Sequence, residues 1–116
     1  MTVEFNWALC STRAGDGDSV IQLSPERPPT LEYLIRVTSA AEEAGFRNIL
    51  VPTGTHCVDP WTLSAAIANR TKKIKFLIAF RPGVVGPTYA AQQISSFSFL
   101  NKGRISLNVV AGSNSP

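Results

Sequence analysis

Apolar positions along this chain follow two periods that take turns. NILVP (48–52), IKFLIAF (74–80) and ISLNVVA (105–111) are short, nearly unbroken apolar runs, as expected of strands covered on both faces. Between them the spacing is helical. In PTLEYLIRVTSAAEEAGF, Leu31, Leu34, Ile35, Thr38 and Ala41 make one stripe. Thr30 is placed to cap that helix, and Glu32 sits in its first turn, where the helix dipole favours an anion. Gly45 supplies a left-handed stop. The unit then repeats. Asp59 caps and Pro60 opens a helix through WTLSAAIANR; Pro87 opens another, TYAAQQISSFSFL, which stops at Asn101-Lys102-Gly103. A first strand is expected over residues 3–9.

Four strands alternating with three helices predict an α/β fold with a parallel sheet and right-handed crossovers. Such units build either an open doubly wound sheet or half of an eight-stranded barrel, and periodicity does not separate the two. No glycine-rich phosphate fingerprint follows the first strand: GDG at 15–17 is not GxGxxG, so a dinucleotide site is not expected. Polar or small residues stand at every strand's C-terminal end. A loop of almost twenty residues, STRAGDGDSVIQLSPERPP, follows the first strand. Both features suit the active face of a barrel.

Composition narrows the classes. With 44% hydrophobic and 16% charged residues in 116, the chain is core-forming and amounts to one domain or a piece of one. The net charge of +3 raises a nucleic-acid partner, but the basic residues form no stripe interleaved with aromatics, so none is expected. Lys72, Lys73 and Lys75 read instead as a solvated connection. No apolar run approaches a membrane span, and MTVEFNWALC lacks the order of a signal peptide, so a soluble cytoplasmic protein is expected. Cys10 and Cys57 have no paired metal spacing and there is one histidine, His56, so no metal site is expected.

The segments PTG..C.D.W (52–61), KFLIAFRPGVVGPTYAAQQ (75–93) and GRISLNVVAGS (103–113), with GDG and the helix end AEEAGF, resemble the bacterial luciferase-like flavin-dependent monooxygenases, and within them the alkanesulfonate monooxygenase group. The likeness covers nearly the whole chain. It implies the N-terminal half of a (β/α)8 TIM barrel, a partial domain over 1–116 that stops just after the fourth strand. It also implies a two-component system: a separate flavin reductase delivers reduced FMN, and O2 then oxygenates an alkanesulfonate to aldehyde and sulfite. Alone, such a fragment is expected to be weak or inactive. Two alternatives stay open, an oxidoreductase of the same family with another substrate or a deazaflavin, and a non-catalytic half-barrel. Unpaired strand edges in a half-barrel favour a partner chain or a homo-oligomer.

By the same resemblance, Cys57 falls at the family's active-site cysteine, beside the oxygen chemistry of the flavin. A lone cysteine is otherwise an inert, part-buried small residue. Asn108 is an amide within an apolar strand, able to meet a flavin ring edge or to bond across the core. Thr53 and Gly54 after the second strand, and Ala111, Gly112 and Ser113 after the fourth, are small enough to let a flat ring approach, or are ordinary turn residues. Arg81 is placed to hold an anionic substrate group or to form a salt bridge. Trp7 and Phe80 are candidates to wall the site, with core packing as the alternative. Ala14, beside Arg13, stands where several relatives carry a histidine, and Leu23 where relatives can place a carboxylate.

Overall fold

The computed structural model describes residues 2–17 and 26–111. Its elements run β1 (Asn6–Ala8), α1 (Leu31–Glu43), β2 (Asn48–Val51), α2 (Pro60–Ala68), β3 (Lys75–Phe80), α3 (Pro87–Leu100) and β4 (Ile105–Val109). Local chemistry sets the helix ends. The Thr30 hydroxyl accepts from the Tyr33 N–H at 3.1 Å. The Asp59 carboxylate accepts from both the N–H and the hydroxyl of Thr62, at 2.8 and 2.9 Å. Gly45 ends α1 at φ 93°, and α3 ends through Lys102 at φ 54° and Gly103 at φ 77°, the left-handed region that glycine enters without strain.

All four strands are parallel, in the order β1-β2-β3-β4. Trp7, Ile49, Phe76 and Ile105 fall in one row across the sheet, and Val51, Ile78 and Leu107 in another on the same face. Ile49, Val51, Phe76 and Ile78 from these rows join Leu34, Ile35 and Ala41 of α1, Leu63, Ile67 and Ala68 of α2, and Phe97 of α3 in one core. All three helices therefore cover the same face. A doubly wound sheet reverses its strand order and carries helices on both faces. Consecutive order with one-sided helices is the arrangement of a (β/α)8 barrel wall, and the choice left open by periodicity is settled in its favour.

The opposite face carries Ala8, Leu50, Leu77 and Ser106 in one rung and Asn6, Asn48 and Lys75 in the next. Asn48 donates to the Asn6 side-chain oxygen at 2.7 Å along that rung. Leu50 and Leu77 are half-buried, unlike their neighbours on the helix side. The expectation of strands covered on both faces thus holds for one face of the described residues.

Two further differences from the sequence pattern have plain causes. Regular β1 is three residues long, although Arg47 N–H still reaches the Phe5 carbonyl at 2.9 Å and Leu9 N–H the Leu50 carbonyl at 2.9 Å. Val3 and Phe5 lie 69% and 67% exposed, so no apolar burial of these two side chains adds to the main-chain bond at Phe5 in holding the start of the run to the sheet. Leu31, the first residue of α1, is also exposed, and the buried stripe starts a turn later at Leu34.

Charged side chains lock the N-terminal end of the sheet. The Glu42 carboxylate accepts from the main-chain N–H groups of Lys72, Lys73 and Ile74. Arg104 donates to the carbonyls of Ala68 and Ile74 and to the Thr71 hydroxyl, with its guanidinium 5.9 Å from the Phe76 ring centre. Among the described residues no helix is long and apolar enough to cross a membrane.

Candidate functional site

The C-terminal ends of β2, β3 and β4 frame an open cleft of about 470 Å³, lined by Pro52, Thr53, Ala79, Arg81, Asn108, Val110 and Ala111. Pairing explains how these residues meet. Asn108 lies opposite Ala79, and both alternate with Ile78 and Leu107, which turn to the helix side. The amide is therefore delivered to the face without helices, next to a side chain too small to cover it. Thr53 stands two residues beyond β2, and Arg81 one residue beyond β3.

Arg81 is half-buried, and its Nε is fully buried without a hydrogen-bond partner among the described residues. An unmet buried donor of this kind costs about 1–3 kcal/mol. The following loop is closed by a bridge between Pro82 and Val85, which keeps the arginine at the rim.

Cys57 sits on the loop between β2 and α2. Its N–H donates to the Gly54 carbonyl at 3.1 Å, so Gly54 and Cys57 are neighbours on one turn. A Cβ at Gly54 would meet the Cys57 Sγ at 3.6 Å, ordinary contact, so space alone does not require glycine there. The loop is tied to the segment after β1. Thr12 and Cys57 form an antiparallel bridge, Arg13 N–H donates to the His56 carbonyl at 2.8 Å, and Val58 N–H donates to the Ser11 carbonyl at 2.9 Å.

That segment is anchored in turn. Thr12 and Gly15 exchange two hydrogen bonds, Gly15 N–H to the Thr12 carbonyl at 3.0 Å and the Thr12 hydroxyl to the Gly15 carbonyl at 2.8 Å. Tyr33, in the first turn of α1, donates its hydroxyl to Asp16 at 2.7 Å. Burial raises the Tyr33 pKa, and the bond to Asp16 and that residue's charge raise it further. Losing the proton would break the bond and set two negative charges side by side.

The structure thus gathers Thr53, Arg81, Asn108 and Ala111 around one cleft. Cys57 and Gly54 lie on the adjoining loop and do not line it. Trp7 is elsewhere: it faces the helix side, edge-on to Phe46 with ring centres 5.5 Å apart and beside Val37 and Ala40. Phe80 alternates with Ala79 and so also turns to the helix side. Ala14 is buried and His56 exposed, its carbonyl serving the loop bridge. Leu23, Gly112 and Ser113 fall outside the described residues. The Asp16–Tyr33 bond and the Glu42 and Arg104 clamps were not legible in the sequence. One signal existed: Glu42 occupies the last turn of α1, where the helix dipole disfavours an anion unless something else holds it.

The sequence model of a family described as luciferase-like monooxygenase matches residues 4–116. Among solved structures the chain is similar to the EDTA monooxygenase EmoA from Chelativorans sp. BNC1, with a TM-score of 0.76 and 21% identity over 96% of this chain and 30% of that one. The long-chain alkane monooxygenase LadA gives 0.75 and 21% over 95% of this chain and 31% of its own. The riboflavin lyase RcaE, solved with modified FMN and riboflavin, gives 0.76 and 19% over 95% and 30%. At these identities the likeness concerns the fold, and the chain spans about 30% of the length of each neighbour.

Proposed function

The chain belongs to the luciferase-like monooxygenase family, and from that premise we propose that it forms the cofactor-facing wall of a flavin-dependent monooxygenase. The observation that carries this reading is the cleft at the strand ends, with Asn108 and the half-buried Arg81 among the residues that line it. The lining fits a flavin. Ala79, Ala111 and Pro52 leave flat, apolar room, while Thr53 and Asn108 supply polar groups for a heteroaromatic edge.

Reduced FMN from a separate reductase would supply, with O2, the chemistry that oxygenates the substrate. The chain's own residues would bind and orient. The Asn108 amide and Thr53 hydroxyl would fix the ring edge, and small side chains at 79 and 111 would set its approach. Arg81 would hold the head group of an anionic substrate, an alkanesulfonate, with a fork that matches its oxygens. Cys57 and Gly54 on the neighbouring loop would close the site against water.

The test is flavin binding and turnover in the full-length protein. Asn108→Leu should weaken FMN binding about tenfold or more, the expected loss for about 1–2 kcal/mol of buried polar contact. Arg81→Met should raise KM for a sulfonate while leaving FMN affinity in place. An unaltered protein that binds no FMN, reduced or oxidised, would refute the reading. Unchanged KM in Arg81→Met would remove the sulfonate from it.

A further inference from the structure

The loop after β1 and the loop after β2 meet through main-chain hydrogen bonds, Arg13 N–H to His56 and Val58 N–H to Ser11, at 2.8 and 2.9 Å around the Thr12–Cys57 bridge. Two such bonds between irregular segments open readily unless one segment is held from elsewhere. The holding point is Asp16. Its N–H donates to the Arg27 carbonyl at 3.0 Å, and its carboxylate accepts the Tyr33 hydroxyl at 2.7 Å. Tyr33 belongs to the capped first turn of α1 and its ring packs against the core, so it stands on a fixed element. Between Asp16 and the bridge, the paired bonds of Thr12 and Gly15 make a short closed turn. A continuous path of hydrogen bonds therefore runs from α1 to the turn that carries Gly54 and Cys57, next to Thr53 on the cleft wall.

We propose that Tyr33 is a positioning residue: through Asp16 it seats the segment after β1 against the β2–α2 loop and thereby sets where Thr53 stands at the cleft and where Cys57 stands on the loop beside it. The proposal rests on the reading of the cleft as a flavin site. It assigns a functional task to the GDG segment, which reaches the site through its neighbours. Phenylalanine at 33 would keep the ring packing and remove the bond alone. Asparagine at 16 would keep an acceptor for the tyrosine hydroxyl and remove the charge.

The experiment is native-state amide exchange in full-length protein, paired with FMN titration. In Tyr33→Phe the amides of Arg13 and Val58 should exchange about tenfold faster, the scale of losing a hydrogen bond to a charged group. The amides of Phe76 and Ile78 in β3 should keep their rates, and FMN affinity should fall severalfold. Asp16→Asn, with Tyr33 intact and an acceptor still in place, should retain most of the protection. Unchanged exchange at Arg13 and Val58 overturns the proposal whatever the flavin does. Faster exchange with full FMN affinity and turnover also overturns it, because the bond is then structural only. If β3 exchange accelerates too, Asp16→Ala decides: selective loosening of the two loops with weaker FMN binding sustains the proposal, and any other pattern overturns it. Failure of the flavin reading shows separately, as absence of FMN binding by the unaltered protein.

Discussion

Replacing Glu42 with glutamine probes how one carboxylate holds the α2–β3 connection. The side chain receives three main-chain N–H groups, from Lys72 at 2.9 Å, Lys73 at 2.6 Å and Ile74 at 2.9 Å. A hydrogen bond to a charged group contributes about 1.5–3 kcal/mol, but the three do not count equally. Lys72 and Lys73 are exposed, and water takes over most of what they lose. Ile74 is 1% exposed, so its N–H depends most on the carboxylate. The expected cost of Glu42→Gln is therefore about 2 kcal/mol, close to one charged bond.

The pH dependence separates charge from shape. Burial works against the Glu42 charge, but the N–H groups of Ile74, Lys73 and Lys72 and the nearby Arg104 outweigh it, so the pKa lies below its ordinary value of 4.5. A depressed carboxyl pKa stabilises the fold fully above the unfolded value, and that stabilisation is lost as pH falls through the folded value. Glutamine does not titrate. The gap between the unaltered protein and Glu42→Gln should stand at its full value at pH 7 and shrink as pH drops below about 4. Urea unfolding across that range measures it, with exchange of the Ile74 amide as the local readout. A gap that is the same at pH 7 and pH 3, or an Ile74 amide no less protected in the variant, would refute the argument.

Arg104→Met removes the guanidinium from the Phe76 ring and its bonds to the Ala68 and Ile74 carbonyls and the Thr71 hydroxyl; Ala68 keeps the N–H and hydroxyl of Thr71 as donors, so the loss falls mainly on Ile74. The substitution should cost about 3 kcal/mol by thermal unfolding. Arg104→Lys should recover little of this, because a single ammonium does not span acceptors arranged for a planar fork. The 116-residue chain expressed alone leaves the Leu50 and Leu77 face without helices, and β1 and β4 each pair with one neighbour among the described residues. Its sedimentation should therefore show mass rising with concentration; a monomer at every concentration would contradict this.

What the sequence determined by itself is local. Caps at Thr30 and Asp59, stops at Gly45 and Gly103, and the alternation of strand and helix depend on residues a few positions apart, and they stand where the pattern puts them. The strand-end residues Thr53, Arg81 and Asn108 were also legible as a group, because parallel strands in this order bring equivalent ends to one side. Other features depend on chain segments far apart. Whether the sheet is a barrel wall or doubly wound turns on which face each crossover takes. The side to which Trp7 points is set by pairing with Ile49, not by a run too short to declare its own phase. The bonds Asp16–Tyr33, Glu42–Ile74 and Arg104–Ala68 join residues 17, 32 and 36 positions apart. A polar side chain carries no mark of a partner that distant. Tertiary structure decided these contacts, because only the packed helices and the registered sheet bring such groups within hydrogen-bond reach.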